Sequence, residues 1–278
     1  MIREPCVSGL FYESDKDLLI GQIKKYFEKT DNKDDAHLDN VVSCVVPHAG
    51  YVYSGLTASY TFSELCCHDL PDTFIILGPN HTGFGTNIDV CSYSGWETPL
   101  GVVDVDTEFV EELLNVDDNV VVDNAAHMRE HSIEVELPFI QYICGSHSFR
   151  IVPIVISRQV PELCENLARS LDKVMSKLGR KCVVVASTDL THYEDVDTAL
   201  FLDAKVMKSV ESMCMDDMVN DIVDYDITMC GYGPVITAVT LAKLQDYDRS
   251  IVLNHSTSGD VSGDYDSVVG YMSAVIGK

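Results

Sequence analysis

The chain is expected to fold as an α/β protein, a three-layer α/β/α sandwich around a mixed sheet, in one domain over residues 1–278. Three observations predict this. Short apolar, β-branched runs alternate with stretches of helical periodicity from end to end. No Pro/Gly/Ser-rich linker, internal repeat or low-complexity segment divides the chain. Three of the predicted strands end in a turn that delivers a histidine within about five residues: VVSCVV into Pro47-His48, TFIIL into Gly78-Pro79-Asn80-His81, and CVVVAS into Thr188-Asp189-Leu190-Thr191-His192.

In chain order, Met1–Glu13 reads as irregular, and Leu18, Leu19, Ile23 and Phe27 mark a helix over Lys16–Glu28. Thr30–Asn40 is a charged surface loop. After the strand Val41–Val46, a helix spans Leu56–Cys66. A strand over Thr73–Leu77 is followed by another over Ile88–Tyr93, and Gly95–Gly101 reads as a loop. Thr107 caps a helix to about Leu114, with Glu108, Glu111 and Glu112 near its positive end. Val120–Val122 is a short strand, and Ile133–Ile143 a helix kinked or delayed by Pro138. Pro153 cannot donate to a ladder, so Arg150–Ile156 is expected at an edge or bulge. Long helices follow over Val160–Leu178, Asp197–Met213, Met215–Tyr225 and Gly231–Leu244, with Pro161 suited to a first turn. Cys182–Ser187, Ile251–Leu253 and Val268–Val275 complete the strands.

Composition narrows the function. Lys and Arg number 19 against 44 Asp and Glu, a formal net charge of −25, which repels phosphate backbones and anionic lipid. No nucleic-acid or membrane partner is expected, and no apolar run is long enough to span a bilayer. The start, Met1-Ile2-Arg3-Glu4-Pro5, lacks the basic-then-apolar design of a signal peptide, so a cytoplasmic location is expected. The 10 cysteines include one adjacent pair, Cys66-Cys67, and no CxxC, which argues against a zinc ribbon or a dithiol redox motif.

His48, His81 and His192 are the leading candidates for chemistry. Ligands of open α/β sheets collect outside the carboxyl ends of strands, where all three fall. Alone, each reads equally well as a turn histidine held by hydrogen bonds. Together they match the way two imidazoles and one anion hold a catalytic ion with positions left open. Cys230 opens a helix in a glycine-rich turn, Cys230-Gly231-Tyr232-Gly233, where a thiolate is accessible; on local sequence alone, plain packing accounts for it too. Asp189, three residues before His192, could orient that imidazole or cap the following turn. His127 and His131 are spaced for one helix face, but HMREH is not HExxH, and His131 is the better candidate to line a pocket. His37, His68, His147 and His255 read as surface or loop residues. GxSxG, GxGxxG and the GK[ST] ending are absent.

Five stretches, in order, resemble the Memo family, named for a mediator of receptor-driven cell motility. They are Pro47-His48-Ala49-Gly50-Tyr51 with Tyr53-Ser54-Gly55, Leu77-Gly78-Pro79-Asn80-His81, Glu130-His131-Ser132-Ile133-Glu134 with Leu137-Pro138, Ser187-Thr188-Asp189-Leu190-Thr191-His192, and Cys230-Gly231. The resemblance implies a fold similar to class III non-haem iron dioxygenases, with cysteine in place of their ligating carboxylate. It implies His48, His81 and Cys230 as ligands to iron or copper, zinc being the weaker expectation, with His192, Asp189 and His131 as the catalytic set. A basic residue and histidine that follow the Cys-Gly pair in some members are replaced here by Tyr232-Gly233-Pro234.

Three readings follow. The first is a metal-dependent redox protein or oxygenase-like enzyme, with a small-molecule or peptide ligand in the cleft. The second, from the resemblance, is a non-catalytic peptide- or protein-binding module acting with a radical-SAM partner. The third, a zinc hydrolase on His48 and His81, lacks an obvious carboxylate base beside either turn.

Overall fold

The computed structural model describes residues 1–30 and 37–278. Its elements in order are β1 Ile2–Arg3, α1 Lys16–Phe27, β2 Val41–Val46, α2 Tyr51–Leu65, β3 Thr73–Pro79, β4 Ile88–Val90, β5 Gly95–Thr98, β6 Gly101–Asp104, α3 Thr107–Val116, β7 Val120–Val122 and α4 Asn124–Met128. A 3₁₀ turn, Glu134–Glu136, leads into α5 Leu137–Cys144. Then come β8 Arg150–Ile156, α6 Pro161–Leu178, β9 Cys182–Ser187, β10 His192–Glu194, α7 Val196–Glu211, α8 Met215–Tyr225, α9 Tyr232–Leu244, β11 Arg249–Thr257, α10 Gly259–Ser262 and β12 Val268–Gly277.

The main sheet runs β10-β12-β2-β9-β3-β8-β4-β7, with β11 paired to β12. Its centre is parallel: β2 pairs with β9, β9 with β3, and β3 with β8. β12 and β4 join antiparallel, so the sheet is mixed, as expected. β2, β3 and β9 are buried along their whole length, which explains their unbroken apolar sequences. α2, with α1 and α5, covers one face, while α6 and α9, with α3, cover the other. Helix starts follow the carboxylates: Asp15 accepts from Asp17 N and Leu18 N, and Asp195 from Thr198 N. No described helix is long and apolar enough to cross a membrane.

Several elements depart from the sequence expectation. Gly95–Gly101 is a β5–β6 hairpin, and β1 pairs with β5 in a small second sheet. Its apolar anchor, Trp96, is fully buried beneath the Arg3 guanidinium, 4.0 Å from the ring centre. α2 starts at Tyr51, five residues early, because Gly55 is a packing glycine and not a turn residue: a Cβ there would come within 2.7 Å of the Tyr26 ring. Asp106, not Thr107, caps α3, its carboxylate also held by Thr73 and Arg150. The helix expected from Ile133 begins as the 3₁₀ turn and becomes α-helical at Leu137, with Pro138 in its first turn. β8 lies inside the sheet, but at Pro153 only β3 is paired, since the β4 ladder begins at Ile154. His255 is neither surface nor loop: it sits in β11, with Nε2 2.8 Å from the buried Asp203 carboxylate. The expected loop over Thr30–Asn40 falls largely on residues 31–36, outside those described.

The residues before α1 form a strap. Arg3 is buried, donating to His127 O at 2.8 Å, Glu130 O at 2.8 Å and Glu134 Oε2 at 2.7 Å. Glu134 also accepts from Cys6 N, Val7 N and the Tyr12 hydroxyl. Tyr51 N donates to Phe11 O at 2.7 Å. One strap thus fixes both the Glu130–Glu134 segment and the start of α2 just beyond His48.

Candidate metal centre

β2, β9 and β3 are adjacent and parallel, in register at Val46 with Ser187 and Leu77 with Ala186. Their carboxyl ends therefore open on one rim, and the turns that leave them bring His48, Asp189 and His81 together. Two further segments reach the same rim. The loop after α4 supplies Glu130 and His131, and the turn before α9 supplies Cys230.

The ligating atoms of His48, His81 and His131 lie within 4.8 Å of one another. The His81 and His131 rings stack with centroids 4.7 Å apart, and His48 stands edge-on to both at 5.1 and 5.5 Å. Phe11 of the strap packs on His131 at 4.9 Å. Cys230, expected as the third ligand, lies outside this group, in which His131 takes that place; its Sγ is 3.2 Å from His48 Nε2.

Each leading imidazole is braced from behind. His48 Nδ1 lies 2.7 Å from Ser187 Oγ, whose hydroxyl has Ser132 O to donate to at 2.7 Å. Ser187 therefore accepts from His48 Nδ1–H, which leaves Nε2 as the free donor atom facing Cys230. Behind Ser187, at 3.1 Å, stands Glu136, fully enclosed, where burial pushes its carboxyl well above the usual range. His81 Nδ1 donates to Glu130 Oε1 at 2.9 Å, and His81 N to Oε2 at 2.6 Å. Ser132 N donates to the same carboxylate at 2.9 Å. This is the outer-shell pattern of metal-binding histidines, in which the far ring nitrogen is held by a carboxylate or hydroxyl and the near one is aimed inward.

Electrostatics separate the residues. Burial depresses the His48 pKa well below normal, assisted by His81, His131 and His192, so it is a neutral imidazole. Burial also acts to lower His81, but the Glu130 hydrogen bond and charge outweigh it and the net shift is upward. Burial would raise Glu130; its His81 contacts overcome that and hold it at about 2. Burial pushes the Cys230 thiol far up, with Asp189 adding to the rise, so without an ion it is a neutral thiol. Burial raises the Asp189 carboxyl to about 7, a value at which it can give or take a proton near neutrality.

Asp189 does not orient His192, nor does it cap a helix. Its Oδ1 accepts from His48 N at 2.8 Å, so it braces the His48 turn. His192 is set instead by the turn before it and the loop after α8: Nδ1 donates to Leu190 O at 2.8 Å, and its N–H to Thr228 Oγ1 at 2.7 Å. His192 lies outside the group of three donors. His127 turns away, with Nε2 on Asp89 O and its ring against Trp96. Glu130, Ser187 and Glu136 were missed as site residues. Glu130 had one available signal, its place between the two candidate histidines His127 and His131.

Gly78, at the end of β3, ties fold to site. A Cβ there would fall on the Ser132 hydroxyl and within 2.9 Å of Ile133. Gly78→Ala is expected to cost about 1–3 kcal/mol by overpacking, read by thermal melting, and to displace His131. A melt unchanged from wild type would contradict this.

An α/β sandwich with three imidazoles gathered at the rim of its parallel strands belongs to the class of proteins with a histidine-built candidate metal centre. The comparisons with known proteins make the assignment specific. The family model described as "Memo-like protein" matches residues 3–275, and the chain belongs to that family. It is 42% identical over 282 residues to a MEMO1 family protein of Methanobrevibacter smithii, covering 99% of each chain. It is 42% identical to one of Sulfolobus acidocaldarius, covering 100% of each. A third, of Thermotoga maritima, is 41% identical, covering 99% of this chain and 100% of the relative. Among solved structures, an uncharacterized protein of Escherichia coli K12 shares the fold at a TM-score of 0.57 and 11% identity, over 86% of this chain and 100% of the other.

Proposed function

We propose that this protein is a metal-binding redox protein, oxygenase-like in its site, in which His48, His81 and Cys230 hold iron or copper. The observation that carries the reading is the paired bracing of His48 and His81. Ser187 and Glu130 occupy the two Nδ1 positions, which leaves each Nε2 open, the ligating atoms of the two rings lie within 4.8 Å, and Cys230 Sγ is 3.2 Å from the first. Two imidazoles and a thiolate suit iron, copper or zinc, and a carboxylate behind one imidazole strengthens it as a donor. The ion would supply one-electron chemistry and a place to bind a small oxidant.

The chain's own residues do the rest. Glu130 and Ser187 hold the rings against rotation. Asp189, near half-protonated at neutral pH, can relay a proton beside His48. His192 keeps Nε2 free, because Nδ1 is committed to Leu190 O, and burial lowers its pKa, so it can accept a proton from a ligand at the rim. A small molecule or an extended peptide segment is the ligand class we assign to the rim.

Metal analysis of protein purified without oxygen tests the proposal. About one iron or copper per chain is expected, with the affinity for that ion, read by chelator competition, lowered at least tenfold by Cys230→Ala, a loss on the scale of removing one ligand. Metal-free protein, or wild-type affinity in Cys230→Ala, would count against it.

A further inference from the structure

We infer that Gln159 selects Cys230, over His131, as the third donor to the ion. The inference rests on the metal-binding reading above and adds a residue to it.

His48 and His81 have two neighbours suited to a third position. The ligating nitrogen of His131 lies within 4.8 Å of both, whereas Cys230 Sγ lies 3.2 Å from His48 Nε2 but outside the group that includes His81, so an ion has to draw it in. The two donors give the ion different characters. A thiolate is soft and brings a negative charge; a third imidazole is neutral and harder. Whatever fixes the thiol at the rim therefore decides which kind of centre forms.

The turn that carries Cys230 is rich in glycine and has little stiffness of its own. It is held from outside, on two sides. Gln159 Nε2 donates to Cys230 O at 2.7 Å, and Gly233 N donates to Gln159 Oε1 at 2.7 Å. Both ends of one amide are thus spent on bridging residues 230 and 233. A Cβ at Gly233 would come within 2.9 Å of the Gln159 side chain, so the glycine is what lets the amide approach. On the other side, Gly231 N donates to Thr188 Oγ1 at 2.9 Å, and Ser187 O and the Thr188 side chain fill the space a Cβ at Gly231 would need. Asp189 N, from the same strand end, donates to Cys230 Sγ at 3.2 Å. Gln159 itself sits on the loop leaving β8, anchored where Ser157 N and Arg158 N donate to Asn87 O. A strand that supplies none of the proposed ligands therefore sets the reach of the sulfur.

Gln159 is a positioning residue: it bonds to the backbone of Cys230 and Gly233 and makes no bond to the sulfur. Its removal is expected to shift the ion to His48, His81 and His131 without emptying the site. Cobalt(II) is the probe, because a cobalt–thiolate bond gives a near-ultraviolet charge-transfer band that imidazole ligands do not. Full-length wild type, Gln159→Met, Thr188→Ser, Thr188→Val, Cys230→Ala and His131→Ala are loaded and compared at equal cobalt content, with circular dichroism and melting as folding checks. Methionine keeps the bulk of glutamine and removes both hydrogen bonds. The expected result is one cobalt per chain in Gln159→Met with the band lost, as in Cys230→Ala. Thr188→Ser, which keeps the acceptor for Gly231 N, retains the band, and Thr188→Val weakens it. His131→Ala costs little cobalt alone and strips it when combined with Gln159→Met. A folded Gln159→Met protein with the full wild-type band overturns the inference while leaving the metal reading intact. Wild type that takes up no cobalt, or takes it up without a thiolate band, overturns the Cys230-containing centre and this inference with it.

Discussion

Glu130→Gln is expected to weaken metal loading by about 10–100-fold, the usual cost of removing a partner that orients a ligating histidine. Glu130 is completely buried and serves three N–H groups at once: His81 N, His81 Nδ1 and Ser132 N. Its Oε1 also lies 3.5 Å from His131 Nδ1. Glutamine has the same shape but one acceptor oxygen, and its amide nitrogen would point N–H at N–H. Either the His81 ring or the backbone around it has to give way. With the carboxylate gone, burial is opposed only by the Asp189 charge, so the His81 pKa is expected to fall. A chelator-competition titration measures the affinity, and NMR titration of the His81 ring measures the pKa. Wild-type affinity in a folded Glu130→Gln protein would show that His81 is not a ligand. Loss of affinity without the fall in pKa would show that Glu130 acts by packing.

Arg3→Met is expected to destabilise the fold by about 3–5 kcal/mol, because it leaves a buried carboxylate without its countercharge. Arg3 and Glu134 are 2.7 Å apart, with side-chain exposures of 1% and 0%. Three donors besides Arg3 remain for Glu134, but they are neutral. For a chain of this length a loss of that size lowers the melting temperature by roughly 6–20 °C, which calorimetry resolves. The pH dependence has a definite sign. Burial would raise the Glu134 pKa, but Arg3 and the strap N–H groups outweigh it and hold it below the ordinary value. A carboxylate depressed in the folded state contributes stability above its unfolded pKa, and that stability is lost as pH falls through the folded value. Wild type should therefore lose stability below about pH 4.5 through this group, and Glu134→Gln should flatten that part of the curve. A melting point for Arg3→Met within about 2 °C of wild type would contradict the account. The site should suffer as well, since Arg3 also holds the carbonyl of Glu130.

The sequence carried the fold class, the strand-end histidines and the order of most elements, because buried parallel strands read as unbroken apolar runs and the turns after them are marked by Gly, Pro and His. The family resemblance pointed to Cys230, whose sulfur reaches His48 but stands outside the three-histidine group that His131 completes. Hidden from it were the interactions that depend on which strands are neighbours. That β9 lies between β2 and β3, and so brings Ser187 under His48, is a matter of strand order. That Glu130 satisfies His81, 49 positions away, is a matter of loop path. The β5–β6 hairpin looked like a loop because its apolar anchor, Trp96, is covered by an arginine from the far N-terminus. Asp189 was expected beside His192, its neighbour in sequence, yet its carboxylate reaches across to the His48 turn. Proximity along the chain misled there because a strand end spreads successive side chains in different directions.

The contact between the His48 ring and the Cys230 sulfur joins positions 182 apart. During synthesis, which exposes the N-terminal part of a chain first, both imidazoles are made well before the thiol exists. A nascent chain can place both imidazoles before it can place this sulfur, so a centre that uses Cys230 is completed only after residue 230 has been made and the turn before α9 has docked on the strand ends.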